Sequence, residues 1–312
     1  MNTKKLSIIV PIYNEQDSIL SLVERISNSL VGLKIEWEII FVDNCSTDNT
    51  KSIIRGLLLS EPRIKYIRFT RNFGPDVEAS LDAGYRNSTG DAAIVIYSDL
   101  QDPPELIPDF IDRWNQGFDV VYGIQKRRLG EKAWRRLAVK VFYIMFRSLS
   151  DSPTMTESGD FKLISRRVIN QLVDMPERGR FSRGLIAWLG FPSIGIHYDR
   201  EPRHSGKSKA SIFSIIRTAL SAITSFSLKP LRILTGFGAI VTLSSLVFII
   251  VLALGAIFGN PQPGITTVAS ISLLTLGLTM GSLGLIGEYL GRIQIEVKGR
   301  PLYVIDEKIN LK

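Results

Sequence analysis

Tyr97-Ser98-Asp99-Leu100-Gln101-Asp102-Pro103-Pro104-Glu105 place a carboxylate and an amide just past the apolar run Ala92-Ala93-Ile94-Val95-Ile96. A short uninterrupted apolar run reads as a buried strand, and open α/β sheets bind ligands beyond the carboxyl ends of their strands. Polar oxygens at that point suit the holding of a metal-bound phosphate. A second candidate is Pro11-Ile12-Tyr13-Asn14-Glu15, which follows another apolar run where a dinucleotide fold would carry its glycine fingerprint. No G-x-G-x-x-G and no Walker loop is present, so a nucleotide would have to be held by side chains: an aromatic ring, carboxylates, and a cation for the diphosphate. Val42-Asp43-Asn44-Cys45-Ser46-Thr47-Asp48 supplies such acceptors. Asp43, at the strand end, is the functional candidate, whereas Ser46 and Asp48 read as turn and cap residues for the next helix.

The elements that must position these residues alternate. Leu6 to Val10, Glu38 to Val42, Ile64 to Phe69, Ala92 to Ile96 and Asp119 to Tyr122 read as strands. Between them, Ile19, Leu22, Val23, Ile26 and Leu30 recur at helical spacing, and Glu105 to Trp114 follows a proline pair suited to a helix start. Such alternation predicts an α/β domain with a mostly parallel sheet covered on both faces.

The remainder of the chain is of another kind. The protein has 312 residues, of which 45% are hydrophobic, and a mean hydropathy of +0.14. The apolar excess lies late. Leu234 to Phe258 and Ile265 to Gly287 are uncharged, long enough to cross the ~30 Å hydrocarbon layer, and separated by the turn-forming Gly259-Asn260-Pro261-Gln262-Pro263-Gly264. They predict a transmembrane hairpin over 231–290, with spans at about 234–258 and 265–290. Lys229 and Arg232 before the first span, and Arg292, Lys298 and Arg300 after the second, put both termini on the cytoplasmic side. Gly277, Gly281, Gly284, Gly287 and Gly291 form a small-residue stripe that would seal the hairpin or join subunits into a homo-oligomer.

Two basic amphipathic segments precede the hairpin. One carries Trp134, Leu137, Val141, Met145 and Leu149 on one face, and either lies in the headgroup layer or caps the α/β core. The other, over 208–230, carries Ile212, Ile215, Ile216, Ala219 and Ile223 and is expected at the membrane surface. A net charge of +8 fits attraction to anionic lipid, and no nucleic-acid-binding signature accompanies it, so no nucleic acid partner is expected. Cys45 is the sole cysteine, which excludes an intrachain disulfide framework, and two histidines make a histidine-rich metal site improbable. No signal peptide is expected at the N-terminus, because the run from Leu6 to Ile12 is short and contains Pro11.

Taken in order, Pro11 to Glu15, Val42 to Asp48, Arg71-Asn72-Phe73-Gly74, Asp99 to Glu105 and Ser158-Gly159-Asp160-Phe161 resemble the motifs of family 2 glycosyltransferases of GT-A fold. The subgroup resembled is the polyprenyl-phosphate glycosyltransferases, which include dolichyl-phosphate mannose synthase and the GtrB-like glucosyltransferases. Glu201-Pro202-Arg203, Ser205-Gly206-Lys207-Ser208-Lys209 and Ile286-Gly287-Glu288-Tyr289-Leu290-Gly291-Arg292 extend the likeness through the hairpin.

The resemblance implies a GT-A catalytic domain over 1–207, a C-terminal tail over 291–312, and inverting transfer of a sugar from a UDP- or GDP-linked donor to polyprenyl phosphate at the cytoplasmic face of an inner membrane. It assigns base and ribose to Pro11, Tyr13, Glu15 and Asp43, the donor diphosphate to Arg71, and Mg²⁺ or Mn²⁺ to Asp99 and Gln101. Asp160 falls at the reaction centre with Asp99, and Arg203, Lys207 and Lys209 would meet the acceptor phosphate. The chain departs from the pattern in two places. It reads Tyr97-Ser98-Asp99 where Asp-Ala-Asp is usual, and Asp43-Asn44-Cys45-Ser46 where Asp-Asp-Gly-Ser is usual. Transfer to another lipid, or a catalytically weakened nucleotide-sugar-binding relative, are the alternatives.

Overall fold

The computed structural model describes residues 4–74, 77–125, 159–199 and 264–311, with separate positions between 231 and 258. Eight strands among these residues form one sheet: β1 (Lys5–Ile12), β2 (Glu36–Asp43), β3 (Ile64–Phe69), β4 (Ala92–Val95), β5 (Val120–Gln125), β6 (Lys162–Ser165), β7 (Ser193–Tyr198) and β8 (Ile305–Ile309). Their spatial order is β7-β5-β6-β4-β1-β2-β3-β8. The pairs β1–β2, β1–β4, β2–β3 and β5–β7 are parallel. The pairs β4–β6, β5–β6 and β3–β8 are antiparallel. All five strands expected from the sequence are present, and the α/β architecture with a mostly parallel sheet is as expected. β6, β7 and β8 are additions.

Strands β1, β2 and β4 are buried along nearly their whole length, with no in–out alternation of burial, because both sheet faces are covered there. Leu6, Ile8 and Val10 of β1 pack with Ile19, Leu22 and Ile26 of helix α1 (Ile19–Leu30). On the other face Ile9 packs with Leu81 and Ala83 of α3 (Glu78–Asn87) and with Val168 of α5 (Arg166–Asp174). That second contact is close: a Cβ at Gly84 would stand 2.3 Å from Ile9 Cγ2, so only glycine lets α3 lie on β1 here. Helix α2 (Thr50–Ser60) follows β2. The Pro103-Pro104 pair opens a 3₁₀ turn, Pro104–Leu106, which continues as α4 (Ile107–Asn115). Helix α6 (Ser182–Trp188) precedes β7.

After the second apolar run the chain departs from the expectation of a tail over 291–312. Helix α7 (Ile265–Lys298) continues past that run, ends at Gly299 with a left-handed φ of 56°, and returns the chain to the sheet. There β8 pairs with β3, and Glu307 meets Lys51 and Arg55 of α2 at 3.1 and 2.7 Å. The last residues are therefore part of the central sheet. Val268, Leu276, Met280, Leu283 and Leu290 of α7 are exposed. Among the described residues no helix is long and apolar enough to cross a membrane. Much of the first apolar run, and both amphipathic segments, lie outside the described residues.

Candidate active site

Parallel pairing brings the carboxyl ends of β1, β2, β3 and β4 to one edge. β6 runs the other way, so its first residue, Lys162, pairs with Val95, the last residue of β4. Two positions further out on each chain stand Tyr97 and Asp160. An antiparallel insertion thus delivers Asp160 to the edge where the parallel strands end.

The loops of that edge are tied to one another. After β1, Asn14 Oδ1 accepts from Thr47 N at 2.8 Å, and Asn14 N donates to Ser46 Oγ at 2.9 Å. Glu15 N donates to Thr50 Oγ1 at 3.0 Å. After β2, Asn44 Oδ1 accepts from Phe73 N at 2.9 Å, joining the loop after β3. Asn14, Cys45 and Leu100 have left-handed φ of 56°, 64° and 57°. Such backbone costs roughly 1–3 kcal/mol at each non-glycine residue and persists where surrounding contacts over-determine it. All three lie in the loops after β1, β2 and β4; the other described non-glycine residue with such a φ, Asn310 at 58°, follows β8 at the opposite end of the strands.

The residues expected to hold the donor lie at or just beyond the ends of β1, β2 and β3. Pro11 is buried in β1, Tyr13 and Glu15 are half-buried just beyond it, and Arg71 is exposed after β3 with its guanidinium 4.1 Å from the Phe73 ring centre. Asp43 has a different position. Its Oδ1 accepts from Ser46 N and Oγ at 2.7 and 2.6 Å, and its Oδ2 from Tyr66 Oη and Arg68 Nη1 at 2.6 and 2.7 Å. With its side chain fully buried, Asp43 shapes the loop from Asn44 to Thr47 from beneath.

Asp99 and Gln101 bracket Leu100, and Gln101 N donates to Asp99 Oδ1 at 3.3 Å. Among the described residues no three His, Cys, Asp or Glu side chains are grouped to hold a metal ion. The Asp99 carboxylate and the Gln101 amide offer two side-chain oxygens in this loop. That pair fits a hard cation which takes one or two protein oxygens and completes its shell with substrate phosphate and water.

Asp160 is at the centre of a charged cluster. Arg183 of α6 grips both of its oxygens through Nε and Nη2, and Tyr97 Oη donates to Oδ2 at 2.7 Å. The Asp160 side chain is 11% exposed and that of Arg183 40% exposed, so the pair has one face toward solvent. Burial alone would raise the Asp160 pKa, but Arg183 and the nearby Lys162 and Tyr97 outweigh it and bring it down to about 2. Burial brings the Lys162 ammonium down to about 8, against the opposing pull of Asp160. Glu78 of α3 is raised by burial, while the Ser182 N–H, at 3.0 Å, and the Ser182 hydroxyl hold it from the other side. That contact fixes the start of α6 one residue before Arg183.

The loop leading to Arg183 is also held by α7. Glu296 accepts from Arg178 N at 2.9 Å and Gly179 N at 2.8 Å. The helix carrying the second apolar run is thereby joined to the segment that places Arg183.

The model of Glycosyl transferase family 2 matches residues 7–173. The chain belongs to that family. An uncharacterized glycosyltransferase of Synechocystis is 40% identical over 98% of this chain and 96% of its own length. The bactoprenol glucosyl transferase of Shigella phage SfII is 36% identical over 96% of this chain and 97% of its own. A prophage bactoprenol glucosyl transferase homolog of Escherichia coli K12 is also 36% identical, over 96% of this chain and 98% of its own. Among solved structures, glucosyl-3-phosphoglycerate synthase of Mycobacterium tuberculosis, in complex with uridine diphosphate, has a TM-score of 0.49 at 18% identity over 71% of this chain and 79% of that one. That last likeness is too distant to build on.

As a family 2 glycosyltransferase, the protein joins Asp160 to Tyr97 and gathers the loops of Tyr13, Asp43, Arg71 and Asp99 along one edge. Arg203, Lys207 and Lys209 lie outside the described residues. Arg183, Lys162, Glu78 and Glu296 are not legible as site residues from the sequence. The one signal for Arg183 is the arginine-rich stretch Arg178-Gly179-Arg180-Phe181-Ser182-Arg183, and nothing in its spacing points to Asp160.

Proposed function

We propose that this glycosyltransferase moves a sugar from a nucleotide diphosphate donor to polyprenyl phosphate, with inversion, at the cytoplasmic face of an inner membrane. The observation that carries the reading is the Asp160–Arg183–Tyr97 cluster beside the Asp99–Gln101 loop, at the edge where the loops after β1, β2 and β3 also end. Full-length likeness to proteins named bactoprenol glucosyl transferase supports the acceptor. The exposed apolar side chains of α7 and the two uncharged runs support a membrane-inserted hairpin with both termini cytoplasmic.

In this reading Pro11, Tyr13, Glu15 and the loop shaped by Asp43 receive the nucleoside, and Arg71 faces the diphosphate. Asp99 and Gln101 hold Mg²⁺ or Mn²⁺, which when bound supplies Lewis-acid stabilisation of the departing diphosphate. An oxygen of the acceptor phosphate forms the new bond to the sugar's anomeric carbon as the bond to the donor diphosphate breaks. A phosphate monoester has a second pKa of about 6 and is largely a dianion at neutral pH, so no strong base is required. Asp160, ionised and clamped, is poorly suited to take a proton at neutral pH. Its role is to hold Arg183 at the edge where two anionic substrates meet, so that positioning and charge dominate. Arg203, Lys207 and Lys209 approach the acceptor phosphate from the membrane side.

The test is incubation of membranes bearing the protein with labelled UDP- and GDP-sugars, undecaprenyl phosphate and divalent metal. A mild-acid-labile glycolipid that disappears in Asp99→Ala is expected. No product from any donor would favour a silent nucleotide-sugar-binding relative, and product on a different lipid would sink the acceptor assignment.

A further inference from the structure

Position 97 is where this chain lacks the first carboxylate of the usual Asp-Ala-Asp, and the structure gives its replacement a definite partner. Tyr97 Oη donates to Asp160 Oδ2 at 2.7 Å, the oxygen that also receives Arg183 Nη2, while Arg183 Nε takes Oδ1. The ring is half-buried, one residue beyond the fully buried Ile96. Glu78 and Arg183 also act electrostatically on the phenol, and Lys162 acts on Asp160.

We propose that Tyr97 is a positioning residue for Asp160, so that position 97 in this chain serves the reaction-centre carboxylate rather than the metal. The proposal rests on the reading that sugar transfer takes place at the Asp160 edge. Arg183 constrains the carboxylate from one side, and the phenol fixes Oδ2 from another. Two constraints on one carboxylate set its rotamer, and with it the direction in which the half-exposed guanidinium faces. An Asp at position 97 would remove the donor, vacate the volume of the ring and bring a second negative charge toward a buried carboxylate.

The experiment compares wild type, Tyr97→Phe and Tyr97→Asp as full chains in the same lipid. It measures kcat, donor KM, Mn²⁺ affinity and melting temperature. Loss of one hydrogen bond to a charged group predicts a kcat about tenfold lower in Tyr97→Phe, with donor KM and Mn²⁺ affinity unchanged and the melting temperature lowered by only a few degrees, and a larger fall in kcat in Tyr97→Asp. Wild-type kcat in Tyr97→Phe would overturn the proposal, as would a higher kcat or tighter Mn²⁺ binding in Tyr97→Asp. A readout independent of turnover is hydrogen exchange at the Arg183 Nε–H. It should accelerate in Tyr97→Phe, and unchanged exchange overturns the positioning role even if the wild type transfers no sugar, an outcome that would count against the proposed function separately.

Discussion

Two carboxylates of the same sheet, each with its pKa brought down to about 2, stand at opposite edges. Glu38, near the start of β2, meets Lys5 and Lys65 at 2.6 and 2.8 Å and accepts from Ser7 Oγ, Thr89 N and Thr89 Oγ1 at 2.7 to 2.8 Å. Its side chain is 2% exposed, and the Lys65 side chain 13% exposed. Asp160, at the other edge, has fewer partners, and its main cation is 40% exposed. In both places burial opposes ionisation and neighbouring cations and donors win. A lowered carboxylate pKa therefore does not mark a functional residue. What separates the edges is closure: the Glu38 network binds together the starts of β1, β2, β3 and β4, whereas the Asp160 pair keeps a face toward solvent, where substrates can enter.

The largest effect that would sharpen this contrast is expected from Asp160→Asn. Transfer should fall by about 10²–10³-fold, the scale for losing a preorganised electrostatic group. The melting temperature should change little, because the abandoned Arg183 can hydrate. Extensive unfolding instead would place Asp160 with the structural networks. Next is Glu38→Gln, which leaves Lys65 without its carboxylate partner and should cost about 3 kcal/mol of stability, with kcat per folded molecule unchanged. Its pH dependence has a definite sign. The folded pKa lies below the ordinary 4.5, so the Glu38 contribution is complete above about 4.5 and is lost as pH falls through about 2. Denaturation followed across that window should show a shallower acid dependence in Glu38→Gln; an unaltered slope would detach the network from acid stability. The smallest effect is expected from Glu296→Ala, which removes the acceptor for Arg178 N and Gly179 N. Because those contacts are exposed, kcat should fall only about threefold, without a change in donor KM. A shift in donor KM alone would disconnect α7 from Arg183.

How much of this was legible in the sequence differs by element. β1 to β5 announce themselves because strands buried on both faces need continuous apolar runs, and α1 because its buried residues repeat every three or four positions. Asp43 is readable as an edge residue because it directly follows such a run, and Asp99 and Gln101 because they lie three and five residues past one. β8 is harder to read: its partly exposed Ile-Asp-Glu-Lys-Ile sequence, at a sheet edge, looks like a polar tail until β3 supplies a partner. Asp43 shows the limit for a site residue. Its place at a strand end is visible, but its use by Ser46, Tyr66 and Arg68 depends on how β2 and β3 pair.

The sequence by itself determined which strands are buried, where their polar ends fall, the order of the motifs and the two apolar runs, because these properties depend on residue type and short-range periodicity. Tertiary structure alone decided the antiparallel entry of β6, which brings Asp160 to Tyr97 across 63 residues of chain. It also decided the angle of α6 that aims Arg183 at Asp160, and the grip of Glu296 on a loop more than a hundred residues earlier. Those contacts are set by which elements pack together, and local spacing carries no record of that. Position 97 illustrates the difference: in sequence it is a missing carboxylate, and in the folded chain it is the hydrogen-bond donor to another.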